Sequence, residues 1–202
     1  MSSPSATLDA RVRVASPAVV AGKRLPNSVL GMIIFVAAEI MFFAALMSAH
    51  TIARATVLGG VWPPPGQPRL PVERTAFNTA ILLLSGALLL IANRRARESQ
   101  EKAQPYVAGA IIAGIAFVLL QGVEWVRLLR EGLTMTSSSH GAFFYLIVGA
   151  HALHAVVALA ALAAVYFPMR QGTLSPSRFA ATQIFWYFVV LLWPIIYLRV
   201  YL

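Results

Sequence analysis

Cysteine is absent from the 202 residues, which rules out a disulfide and a thiolate metal site. Acidic residues are scarce as well, with 7 Asp and Glu against 16 Lys and Arg. Charged residues of both signs make up only 11% of the chain, against 59% hydrophobic, and the mean hydropathy is +0.75. An aqueous fold of this length could not hide so many apolar side chains, because long uncharged runs have no polar face to offer water. Lipid is therefore the solvent. The basic excess does not point to nucleic acid, because Lys and Arg fall between apolar runs rather than on one face or stripe. The first 26 residues have no apolar stretch and carry Arg11, Arg13, Lys23 and Arg24. They read as a disordered basic cytoplasmic arm and not as a cleavable signal peptide.

Five apolar segments follow: Ser28 to Ile52, Thr75 to Ala92, Pro105 to Leu129, His140 to Phe167 and Arg178 to Tyr201. Each is close to the ~20 residues that a spanning helix needs. Backbone exposed to lipid must satisfy its hydrogen bonds within the segment, and the ten-residue alternation of a barrel strand is missing. The expected fold is all-α, an integral membrane bundle of five transmembrane helices over residues 27–202 with no soluble domain. The connections are polar and turn-rich, as in Gly59 to Gly66, Asn93 to Arg97, Glu131 to Ser139 and Met169 to Ser177. In a five-span arrangement Arg11, Arg13, Lys23, Arg24, Arg94, Arg95, Arg97, Lys102, Arg170 and Arg178 share one side. Arg54, Arg69, Arg74, Arg127, Arg130 and Arg199 lie on the other. The positive-inside rule then puts the N-terminus in the cytoplasm and the C-terminus outside.

Few polar side chains interrupt the spans. Glu39 sits near the middle of the first, where an ionised carboxylate costs several kcal/mol unless paired or hydrated. It is expected to be neutral, partnered or beside water, either holding a neighbouring helix or lying beside a proton or lipid path. Glu124, near the end of the third span, has Arg127 at i+3, within reach of a salt bridge on the same helix face. His151 and His154 share a face of the fourth span and are placed to hydrogen-bond Glu39 or Glu124 on adjacent helices. A metal is not expected, because two histidines on one helix make only half of a di-metal site. Haem is not expected either, since nothing inside another span answers either histidine as the opposite axial ligand. Ser85-Gly86 with a histidine elsewhere invites comparison with an intramembrane serine protease, but Leu83 stands where that motif has its first glycine. A lone serine in a membrane helix usually bonds its own backbone.

An ordered set of motifs runs along the chain. They run from Gly31-Met32-Ile33-Ile34-Phe35 through Glu39-Ile40-Met41-Phe42-Phe43, Trp62-Pro63-Pro64 and Asn78-Thr79-Ala80-Ile81-Leu82-Leu83. Leu120-Gln121-Gly122-Val123-Glu124-Trp125, Glu131-Gly132-Leu133-Thr134, His140-Gly141-Ala142-Phe143-Phe144 and Gly149-Ala150-His151-Ala152-Leu153-His154 continue the set. Taken in order, these motifs resemble subunit III of the haem-copper oxidases, the cytochrome c oxidase branch in particular. Two departures stand out. The last span keeps Trp186 and Trp193, but Tyr187 and Val190 replace a family histidine and aspartate. Longer family members also have two further helices ahead of the first span. Those helices help to form a lipid-holding cleft, which here would be absent or completed by a partner.

The resemblance implies an accessory subunit without catalytic residues, part of a proton-translocating cytochrome c oxidase complex. It would pack against catalytic subunit I, stabilise it and support proton uptake on the inner side, in a bacterial inner membrane. Haem and copper would reside in partner subunits, this chain holding no cofactor of its own apart from bound phospholipid. The partners would be subunits I and II, with subunit IV a further candidate, and membrane lipids. Glu39, Glu124, Arg127, His151, His154, Trp62, Asn78 and Trp186 would be structural or associated with protons or lipid. Gly31, Gly86, Gly114, Gly122 and Gly149 would mark helix contacts, because small residues let helices approach in lipid. Trp62, Trp125, Trp186 and Trp193 would suit interfacial belts or subunit contacts. Within the family, a subunit of a quinol oxidase or of a nitric-oxide-reducing relative is the alternative. A small transporter is the alternative from another class, and would show broken helices or paired repeats. The topology is testable because the chain has no native cysteine: a single cysteine at Ser99 should stay unlabelled by an impermeant thiol reagent in intact cells, and labelling would overturn the orientation.

Overall fold

The computed structural model describes residues 25–56, 62 and 66–202. Within them the chain forms five long helices, α1 (Asn27–Ala55), α2 (Val72–Ala96), α3 (Gln100–Arg130), α4 (Ser139–Arg170) and α5 (Pro176–Ile196), the last continuing as a π-helical turn over Tyr197–Tyr201. All five are long and apolar enough to cross a membrane, and no strand occurs among the described residues. The expected basic arm lies outside the described residues as far as residue 24, as do Pro63 and Pro64 of the Trp62 motif.

The helices extend beyond the apolar runs because polar residues cap them. At the start of α3 the Ser99 hydroxyl accepts from the Glu101 backbone N–H at 3.2 Å, and at the start of α4 Ser138 accepts from Gly141 at 3.0 Å. Pro176 opens α5, where its missing N–H costs nothing. Gly132 and Gly172 adopt positive φ, 89° and 69°, at the ends of α3 and α4. The N–H that follows each glycine reaches back to close the last turn, Leu133 to Leu128 at 2.9 Å and Thr173 to Pro168 at 3.0 Å. α4, with 32 residues, is about 48 Å long. That exceeds the ~30 Å hydrocarbon core, so its ends reach the headgroup zones or the helix tilts. At the short α2–α3 turn, outside the membrane, Glu98 meets Lys102 at 3.0 Å and Arg95 at 3.6 Å. The Lys102 hydrogen bond and charge hold its carboxyl below the usual carboxylate range.

The helices surround α5. α2 and α3 run as a tight antiparallel pair, α4 lies between α3 and α5, and α5 also touches α1 and α2. In its most apolar 18-residue window α5 is 61% buried and α1 only 6%, so α5 is the centre and α1 the edge. The core combines Phe43, Leu82, Leu89, Phe117 and Phe144 with Trp186 and Trp193, both wholly buried. These two tryptophans therefore do not form an interfacial belt. Their N–H groups donate to hydroxyls inside the bundle, which fixes them to α2 and away from the lipid surface.

Small residues mark contacts at some of the expected glycines. A Cβ at Gly114 would stand 2.8 Å from the Trp186 ring and 2.9 Å from Leu159, and one at Gly86 would stand 2.9 Å from Val190. Gly149 meets Trp125 at an ordinary 3.5 Å, whereas Gly31 and Gly122 face open space, so neither is a contact within this chain. Gly114→Val should therefore cost about 1–3 kcal/mol by overpacking. Gly31→Val should stay within about 0.5 kcal/mol. Unfolding of the purified protein in denaturing detergent measures both, and equal losses would contradict the packing.

Candidate functional site

The polar side chains gather into separate groups. In the first, Glu39 of α1 meets His154 of α4, with Oε2 and Nε2 3.0 Å apart and both side chains largely shielded. The Nδ1 of His154 lies 2.7 Å from the Ala150 carbonyl, which can only accept, so Nδ1 carries its hydrogen. One further proton then joins Oε2 and Nε2. Whether it rests on the carboxyl or on the imidazole, the pair has no net charge, which lets it persist inside a bilayer. Phe43, Phe185 and Phe188 surround the imidazole.

A second group lies at the end of the bundle where α5 terminates. Arg74 of α2 donates to Glu124 Oε1 at 3.3 Å, while Arg127 turns to Glu131 at 2.8 Å. The expected Glu124–Arg127 bridge is thus replaced. Glu124 faces α2 and is buried, whereas Arg127 points to the surface where Glu131 lies one turn on. Next to the ion pair, Asn78 donates to Gln121 at 3.4 Å, and Gln121 donates to the Tyr201 hydroxyl at 2.9 Å. Tyr197 donates to the Val72 carbonyl at 3.1 Å. One polar chain therefore ties α2, α3 and the C-terminal turn together.

Further toward the bundle centre, Trp193 donates to the Thr79 hydroxyl at 2.9 Å and Trp186 to Ser85 at 3.1 Å. Ser85 in turn donates to the Ala110 carbonyl of α3 at 2.7 Å. Ser85 thus bonds a neighbouring helix rather than its own, and no histidine is among its hydrogen-bond partners. His151 shares the α4 face but not the role of His154. It lies against the Trp193 ring at 4.9 Å with Phe117 edge-on, and neither ring nitrogen has a hydrogen-bond partner among the described residues. Trp62 is wedged between His50 at 5.6 Å and His140 at 5.2 Å, closing the bundle over α1 and α4.

Among the described residues no three His, Asp or Glu side chains gather as a metal-ligand set. Gln121, Thr79, Ser85, Arg74 and Tyr201 carry much of the network. Most stand as isolated polar residues within or beside apolar runs, a signal in the sequence that they need a partner. Arg74 shows no such signal, because it counts equally well as a topological charge.

The fold and these groups define a class: a helical membrane bundle whose buried polar groups join helix to helix. The chain belongs to the cytochrome c oxidase subunit III family, whose model matches residues 17–202. It is 31% identical over 179 residues to the cytochrome c oxidase subunit 3 of Oryctolagus cuniculus, covering 85% of this chain and 67% of the relative. It is 30% identical over 194 residues to that of Ovis aries, covering 92% and 71%. It is 31% identical to that of Cyprinus carpio over 179 residues, covering 85% and 67%. None of the five described helices is broken at mid-membrane, the feature expected of a transporter.

Replacing the two α4 histidines separates their roles. His154→Phe strands the Glu39 carboxyl and should cost about 1–2 kcal/mol. His151→Phe keeps the ring stack and breaks no hydrogen bond, so the change should stay below about 1 kcal/mol. Detergent unfolding of the two variants checks this, and the reverse order would contradict the assignment.

Proposed function

We propose that the chain is a framework subunit of a respiratory oxidase in a bacterial inner membrane, with its N-terminus in the cytoplasm. Family membership makes it subunit III of a haem-copper oxidase. In this reading it packs against subunits I and II, stabilises subunit I, supports proton uptake on the inner side, and leaves haem and copper to those partners. The observation that carries the reading is how the polar groups are used. Glu39, Glu124, Asn78, Gln121, Trp186 and Trp193 each spend a hydrogen bond on another helix or on the C-terminal turn. The positive-inside bias supports the orientation.

Chemistry by Glu39 is not part of this reading. Glu39→Gln keeps shape and hydrogen bonding, so the assembled complex should retain its initial oxygen-reduction rate within a few-fold, whereas a proton-transfer role would typically be worth ~10²-fold or more. Purification of the chain with its native partners tests the wider assignment. Haem a bands, a copper-binding subunit and no metal on this chain after chelation are expected. Stoichiometric metal retained by the chain, or a complex without haem, would overturn it.

A further inference from the structure

The ion pair at the end of the bundle is incomplete. Glu124 is 5% exposed, and its Oε1 accepts from Arg74, but its shielded Oε2 has no partner among the described residues. A buried carboxylate oxygen without a donor is costly. Glu124 also lines an open groove of about 410 Å³ between α2 and α3, with Glu73, Arg74, Phe77, Asn78, Leu120 and Val123. Among the described residues Arg74 is the only cation along that lining, against the carboxylates of Glu73 and Glu124. The lining therefore carries one more negative than positive group, and none of its N–H groups reaches Glu124 Oε2. Its rim is apolar, with Phe77 64% and Val123 63% exposed, as suits a helix packing against it in lipid.

We infer that this α2–α3 groove docks a transmembrane helix of a partner oxidase subunit, and that a basic or N–H-bearing side chain on that helix meets Glu124 Oε2. The inference rests on the framework reading and specifies the face by which that framework is held. Charge complementarity selects the donor, because Glu73 and Glu124 against Arg74 leave the lining net negative.

The test places a photo-crosslinking residue singly at Phe77, Val123 or, as a control on another face, Leu153, in the assembled oxidase. Adducts from Phe77 and Val123 to another oxidase polypeptide are expected, and Glu124→Gln should lower the Val123 adduct yield by about threefold or more. Lipid adducts alone from Phe77 and Val123 would overturn the docking face. If Leu153 then still crosslinked to a haem-containing complex, the framework reading would stand without it. If no position gave an oxidase adduct and no haem co-purified, both would fall. Should the crosslinking variants not assemble, Val123→Cys provides the measurement. Its labelling by a lipid-soluble maleimide should be at least several-fold slower in the complex than after detergent removal of the partners, and equal rates would overturn the docking.

Discussion

Inside a bilayer no water is available to satisfy an N–H, an O–H or a carboxyl, so each such group must find a partner within protein. The architecture of this chain follows from that constraint. α5 is the helix through which it acts, because Trp186 and Trp193 reach across to Ser85 and Thr79 on α2, and Ser85 passes the connection on to α3. Each bond is modest, on the order of 0.6–2 kcal/mol in membrane helices. Their value lies in direction, since lipid tails are as apolar as the leucines they touch and burial alone barely distinguishes one helix pairing from another. The close approach of α5 to Gly86 and Gly114 then supplies the packing.

Much of this was legible in the sequence. Five apolar runs could only become spanning helices, and Glu39 in mid-span demanded a partner that a histidine on another span could provide. What could not be read was which polar residue faces which. Glu124 has Arg127 one turn away along α3, yet pairs with Arg74, because helix–helix geometry decides that contact and sequence spacing does not. His151 and His154 look equivalent by periodicity, but one stacks on Trp193 and the other bonds Glu39. The tryptophans misled in a similar way, since an indole suits a membrane interface and a buried hydroxyl equally well.

The two departures in the last span also acquire a physical meaning. Val190, where the resembled motif has aspartate, fills the space over Gly86 between α2 and α5. Tyr187, where the family has histidine, lines an apolar groove of about 510 Å³ against Val36 and Ile40 of α1. Its hydroxyl has no partner among the described residues.

The central claim is that this chain contributes structure and no reacting group to oxygen reduction. Single-turnover oxidation of the fully reduced complex, followed optically before and after this chain is stripped away, tests that claim most directly. Haem oxidation in the first turnover should keep its rate within a few-fold, because no catalytic acid, base or ligand has been removed. A fall of ~10²-fold or more with the haems still in place would contradict the account.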